Sequence, residues 1–113
     1  MSKYFNRKTV YKGITYDSKH EAQKAYEFEM LQRTGYICHL ERQRRFELQQ
    51  SFKRNGKTER AITYIADFYY YDNRTKKWVV VDAKSAITKT LPVYRIKKKL
   101  FMFKYPDIDF IEV

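Results

Sequence analysis

The chain has little of what several protein classes require. Its one cysteine, Cys38, excludes an intramolecular disulfide and any zinc site built on several thiolates, and fits a reducing cytosol. Gly13, Gly35 and Gly56 are each isolated, so there is no glycine-rich phosphate loop. No apolar run approaches the ~20 residues a membrane helix needs. The opening Met1-Ser2-Lys3-Tyr4-Phe5-Asn6-Arg7-Lys8 is basic but leads into no apolar segment, unlike a secretory signal. His20 and His39 fit no metal-ligand spacing. Acidic side chains are the scarcest of all relative to need: 13 Asp and Glu face 24 Lys and Arg, a net charge of +11.

What is present is enough for one folded unit. The 113 residues match a single core, and the reading is one domain over 1–113 with a basic arm over 1–10. With 43% apolar and 18% aromatic residues the chain is too hydrophobic for wholesale disorder. The basic excess is not confined to a tail: residues 1–60 carry 14 basic and 7 acidic side chains, residues 61–113 carry 10 and 6. A folded domain so charged repels itself unless a polyanion takes up the charge, and nucleic acid is the first such partner.

Ser18 followed by Glu21 is a capping-box pattern and Gly35 a C-terminal signal, so a helix is expected from Lys19 to Thr34. Val10 to Tyr16 reads as a short hairpin turning at Gly13. Tyr36–Gln43 and Arg44–Phe52 look extended, Asn55-Gly56 is a hairpin turn, and Arg60–Tyr71 alternates Ile62, Tyr64, Ala66, Phe68, Tyr70 against Ile65, Asp67, Tyr69, Tyr71. Trp78–Lys84 is a further strand, Pro92 opens a second helix to Lys104 with Val93, Ile96, Leu100 and Phe103 at helical spacing, and Asp107–Val113 closes as a strand. The order is that of an α/β domain with one mixed sheet between helices.

The informative residues are charges lodged in apolar strands. Asp82 follows Val79-Val80-Val81, and strand alternation points Asp82 and Lys84 to one face. Asp67 lies within Tyr64-Ile65-Ala66-Asp67-Phe68-Tyr69. A carboxylate buried without a partner costs several kcal/mol, and one Mg2+ between Asp67 and Asp82 would neutralise both. Lys84 can then position the attacking water or steady a phosphate, and Glu21, on the helix line of Ala25 and Phe28, supplies a third oxygen. Gln43, on the strand face of Ile37, His39, Glu41 and Arg45, can orient a ligand or water. The plainer alternatives are that Glu21 completes the capping box, Asp82 and Lys84 form an ion pair, and Asp67 accepts a tyrosine hydroxyl.

Taken together, Tyr16-Asp17-Ser18-Lys19-His20-Glu21, Leu40-Glu41-Arg42-Gln43, Tyr64-Ile65-Ala66-Asp67-Phe68, Val81-Asp82-Ala83-Lys84 and Ile96-Lys97-Lys98-Lys99-Leu100 resemble the PD-(D/E)xK nuclease superfamily. More narrowly they are similar to a group of small phage-borne proteins assigned to it, and in size and motif order to the archaeal Holliday-junction resolvases. Ala66 stands where that pattern has proline, and Asp82 where glutamate is more frequent. The resemblance implies a restriction-endonuclease-like core, a central mixed sheet of four to five strands flanked by helices in α-β-β-β-α-β order. It implies Mg2+, with Mn2+ able to substitute, held by Glu21, Asp67, Asp82 and the Ala83 carbonyl, and a 5′-phosphate product.

The expectation is therefore a Mg2+-dependent DNA endonuclease acting on branched recombination or replication intermediates, in the cytoplasm of a phage-infected or prophage-bearing bacterial host. Lys84, Asp82, Asp67, Glu21 and Gln43 form its site, and Arg44, Arg45, Thr88, Lys97 and Lys98 grip phosphates. A homodimer follows from the paired strands of a junction. The rivals are a non-catalytic nucleic-acid-binding module, a sequence-specific nuclease of restriction or homing type on the same scaffold, and an accessory protein docking an acidic partner.

Overall fold

The computed structural model describes residues 8–113. Most of the basic arm expected over 1–10 lies outside them, and Thr9 and Val10 belong to a strand. The elements are β1 (Thr9–Tyr11), β2 (Ile14–Tyr16), α1 (Lys19–Arg33), β3 (Ile37–Gln49), β4 (Phe52–Arg54), β5 (Lys57–Glu59), β6 (Ile62–Asp72), β7 (Lys77–Asp82), α2 (Ala86–Lys89), α3 (Pro92–Lys104) and β8 (Asp109–Glu112). The architecture is mixed α/β. A four-stranded sheet runs β3-β6-β7-β8, antiparallel except for the parallel β7–β8 pair, which the α3 crossover joins. The hairpins β1–β2 and β4–β5 form two small sheets of their own.

Each face of the sheet has its own core. On one side α1 lays Ala22, Ala25 and Phe28 against Ile37, Phe68, Tyr70, Val79 and Val81. On the other α3 lays Phe101 against Phe46, Tyr64, Ala66 and Val80. The valine run of β7 feeds both, which is why it is apolar on both faces. Helix α1 stops where expected because Gly35, at φ 85°, allows the Tyr36 amide to reach the Leu31 carbonyl at 3.0 Å and its own amide to reach Gln32 at 3.1 Å.

Several expectations need correction. The two segments expected on either side of residue 43 are one strand, β3, bulged at His39 (φ 56°), where Cys38 and Glu41 pair with Tyr71 and Tyr69. The extra residue splits the face expected to join Ile37, His39 and Gln43: Ile37 packs beneath α1, whereas His39 lies against Trp78, which stacks on Tyr69. The alternation expected along β6 reverses at Asp67: Phe68 and Tyr70 pack beneath α1, but Ala66 and Tyr64 pack beneath α3. Gln43, with φ 51°, lies across from Asp67 between the pairs Arg42–Phe68 and Arg44–Ala66. Strand β7 ends at Asp82, so Lys84 comes from the following loop.

The inward face of α3 also differs. Val93, Ile96, Leu100 and Phe103 are exposed, Phe103 at 88%, whereas Tyr94 and Phe101 are buried. The helix carries two apolar stripes, and the one with the larger aromatic area to bury takes the sheet. Helix α2 was not expected. Ser85 caps it, its hydroxyl accepting from the Thr88 amide at 3.1 Å.

Candidate functional site

Three carboxylates from three elements converge. Asp67 comes from the middle of β6, Asp82 from the last position of β7 and Glu21 from the first turn of α1. They are 4%, 0% and 3% exposed. Lys84 Nζ lies 3.3 Å from Asp67 Oδ2 and 3.5 Å from Asp82 Oδ1, so its ammonium sits between the two aspartates. Gln43 Nε2 donates to Glu21 Oε1 and to Asp67 Oδ1, both at 3.3 Å, tying the third acid to the pair. The Ala83 amide donates to Asp67 Oδ2 at 2.9 Å, which fixes the backbone of that residue beside the cluster.

The Glu21 amide donates to Ser18 Oγ at 3.1 Å, which is half of a capping box. Its carboxylate turns instead toward Gln43 and toward Arg42 Nη2, 3.7 Å away. The hydroxyl partner considered for Asp67 goes to Asp82: Tyr64 OH donates to Asp82 Oδ2. The ion pair between Asp82 and Lys84 is present, within the larger cluster.

Arg42 and Gln43 are neighbours in a strand yet both reach Glu21. Ordinary alternation would send them to opposite faces. The left-handed backbone at Gln43 makes the convergence possible, at a cost of order 1–3 kcal/mol for a residue with a Cβ. Gln43→Val should therefore unfold at a denaturant midpoint corresponding to ~2 kcal/mol less stability than Gln43→Gly, because a β-branched residue resists positive φ and glycine does not. Equal midpoints for the two variants would mean the backbone there is not held in that conformation.

The electrostatics are those of crowded acids. Burial pushes the Glu21 carboxyl up to about 7, with Asp67 and Asp17 adding to it against Arg42 and Lys84. Burial, with Asp67 beside it, pushes Asp82 up to about 6 against the pull of Lys84. Burial alone would lower the Lys84 pKa, but Asp82, Asp67 and Glu21 outweigh it and hold the lysine above its ordinary value. Lys84 is therefore a fixed cation at neutral pH.

A cleft of 160 Å3 borders this cluster, lined by Ser18, Glu21, Ala83, Lys84, Ser85 and Thr88 among others, with Asp67 and Asp82 buried against Lys84 rather than in its lining. The donor set fits a hard divalent cation: carboxylate oxygens whose mutual repulsion Lys84 and the more distant Arg42 only partly offset. Among the described residues, no three His, Cys, Asp or Glu side chains close into a ready-made cage. Glu21 joins the aspartates through Gln43 instead.

The expected phosphate-binding residues divide. Thr88 borders the cleft. Lys98 extends to Glu112 Oε1 at 2.9 Å, and Glu112 is the register partner of Asp82, so Lys98 stands beside the site. Arg44 pairs with Glu41 at 3.2 Å and lies over the Phe46 and Tyr69 rings, on the α3 side of the sheet. Arg45 is exposed and Lys97 half-buried. Neither lines the cleft.

Sequence reasoning missed Arg42, whose guanidinium stacks 4.2 Å above the Tyr16 ring while facing Glu21, and Tyr64, the hydroxyl donor to Asp82. It also missed Lys89, Arg95 and Lys99, which with Lys98 line a groove of 240 Å3 ending at Glu112. The available signal for Lys89 was its place in the last turn of a short helix capped by Ser85. No helix among the described residues is long and apolar enough to cross a membrane.

No curated protein and no solved structure matches the chain. A family model does match it, over residues 1–112, and the chain belongs to that family, DUF1064, described as a protein of unknown function.

Proposed function

We propose that the protein is a Mg2+-dependent DNA endonuclease with a restriction-endonuclease-like core, selective for branched DNA. The observation that carries this reading is the position of Lys84 Nζ within 3.5 Å of two buried aspartates at a cleft that Glu21 also lines. Structural ion pairs are seldom built from three buried acids, since each adds a desolvation cost of several kcal/mol. Sites that handle phosphate chemistry are built that way, because the excess negative charge is what recruits the cation.

In this reading Glu21, Asp67 and Asp82 hold Mg2+, with the Ala83 carbonyl as a further oxygen, and Mn2+ substitutes. Bound there, the ion would draw charge from a phosphoryl oxygen and make water a better nucleophile. Lys84, kept protonated by its acidic neighbours, donates to the attacking water and steadies the charge building on phosphorus. Gln43 keeps Glu21 and Asp67 in register and faces the same water. The water oxygen attacks phosphorus in line and gives up its proton to solvent, the bond to the 3′ oxygen breaks, and that oxygen takes a proton from solvent, so the products carry a 5′-phosphate and a 3′-hydroxyl. Thr88, Lys98 and the α2–α3 groove with Lys89, Arg95 and Lys99 lie where flanking phosphates would pass. Arg44, Arg45 and Lys97 would meet the duplex outside the cleft.

A symmetric junction needs two cuts, so a homodimer is part of the proposal. The exposed stripe Val93, Ile96, Leu100 and Phe103 on α3 is the apolar face a second copy would cover. The test incubates labelled four-way junction, flap and linear duplex with and without Mg2+, on a preparation whose mass in solution is measured. The expected result is Mg2+-dependent nicking of the junction in preference to linear duplex, by a species of two copies. Salt-sensitive binding of all three substrates with none cut would instead establish a non-catalytic nucleic-acid-binding module.

A further inference from the structure

The β4–β5 hairpin serves no core. Every residue from Gln49 to Ile62 is exposed, the ribbon is a sheet of its own, and each of its strands packs chiefly on the other. A two-stranded ribbon in water is marginal by itself and gains nothing here from burial. Its turn is nonetheless well specified: Asn55 and Gly56 have φ 53° and 75°, the paired left-handed residues of a type I′ turn, whose twist matches the flanking strands. The register is Phe52–Glu59, Lys53–Thr58 and Arg54–Lys57. Lys53, Arg54, Lys57 and Arg60 stand against Glu59 alone.

A rigidly turned, solvent-surrounded ribbon carrying positive charge is a projection shaped for a polyanion. Its dimensions also suit one. The ten residue steps from Asp67 back to Lys57, through β6, Ala61, Arg60 and β5, span at most ~34 Å at ~3.4 Å each. That is about one turn of B-form duplex, whose major groove, ~12 Å wide, admits a two-stranded ribbon.

We propose that the β4–β5 ribbon is a duplex-DNA-binding finger. Its tip enters a groove up to one helical turn from the cleft, and Lys53, Arg54 and Lys57 contact the phosphates on either side. The finger adds affinity and holds the orientation of a duplex arm while the cleft engages the scissile phosphate. Its partner is taken from the DNA-cleaving reading of the cleft, on which it rests.

The experiment compares the full-length parent with the triple variant Lys53→Ala, Arg54→Ala, Lys57→Ala. Fluorescence anisotropy on duplexes of two lengths, one shorter than a helical turn and one of two turns, is read without divalent metal so that nothing is cut. The parent should bind the longer duplex more tightly. The variant should lose about tenfold on the longer duplex near physiological salt, with log affinity falling less steeply against log salt by about two to three. The shorter duplex should bind both proteins alike. Because these side chains are fully solvated, circular dichroism and melting temperature should not move.

Unchanged affinity and salt slope in the variant would overturn the finger. If the parent also nicks DNA with Mg2+, the finger alone falls and the nuclease reading stands. Loss of long-duplex binding in the variant, with no cleavage by the parent, keeps the finger and removes the nuclease. A parent that binds neither duplex removes the finger, and the junction assay then decides the nuclease reading by itself.

Discussion

Asp82→Asn is expected to abolish cleavage, by a factor of at least ~10^3, while making the metal-free protein more stable and no weaker in binding DNA. The carboxylate is fully buried, and its surroundings push its pKa up to about 6, so at pH 8 the fold maintains a charge its environment disfavours. Asparagine keeps the shape and one acceptor oxygen for the Tyr64 hydroxyl or the Lys84 ammonium. It removes the repulsion with Asp67. Each unit of pKa shift is ~1.4 kcal/mol, so the gain at pH 8 is up to about 3 kcal/mol. For a domain of this size that raises the melting temperature by ~5 °C or more. Removing one negative charge from the cleft cannot weaken its attraction for phosphate. A structural carboxylate predicts the reverse on stability, since breaking a well-matched buried ion pair costs ~3–5 kcal/mol. Junction cutting, thermal melting and anisotropy on the same variant separate the two. A variant that cuts at the parental rate would remove Asp82 from the chemistry altogether.

Helix α1, the Asn55-Gly56 turn and the β7–α3–β8 crossover were legible because local signals agree with tertiary structure there: a cap, a left-handed pair and a proline at the first helical position. The two aspartates were legible because charge inside an apolar strand needs an explanation. The arrangement that joins them to Glu21 was not. It depends on the left-handed turn of the backbone at Gln43 and on the reversal of inside and outside at Asp67, and neither residue type announces such a break. Periodicity arguments assume an unbroken ladder, and they fail where the ladder is bent to build a site. The failure on α3 is of another kind. Val93, Ile96, Leu100 and Phe103 satisfy the helical spacing as well as the stripe through Tyr94 and Phe101, and only packing against Phe46 and Tyr64 decides between them. The stripe left outside is surface that the monomer does not use.

The acids also set a pH dependence that runs opposite ways with and without the cation. Without metal, Glu21 and Asp82 titrate near 7 and 6, both above ordinary carboxyl values. Between about pH 4.5 and 7 the unfolded chain has released protons that the folded chain retains, so the folded state binds more of them and stability falls as pH rises. The loss begins near the ordinary carboxyl pKa, is complete just above 7, and amounts to a few kcal/mol. Asp72 and Glu112 are held below the ordinary range, so they act only at lower pH, where stability falls as pH falls. The metal-free melting temperature should therefore peak near pH 5 and decline toward pH 7.5. A divalent cation needs the same carboxylates ionised, so its affinity should rise by roughly 10–20-fold from pH 6 to pH 8 as Asp82 and then Glu21 give up their protons. Melting scans at fixed Mg2+ across that range should show the gain over metal-free protein growing with pH while metal-free stability shrinks. A gain equal at pH 6 and pH 8 would place the cation somewhere other than these three acids. A metal-free curve flat from pH 5 to 7.5 would mean that Lys84 and Arg42 already neutralise the cluster, which would then have no excess charge with which to recruit an ion.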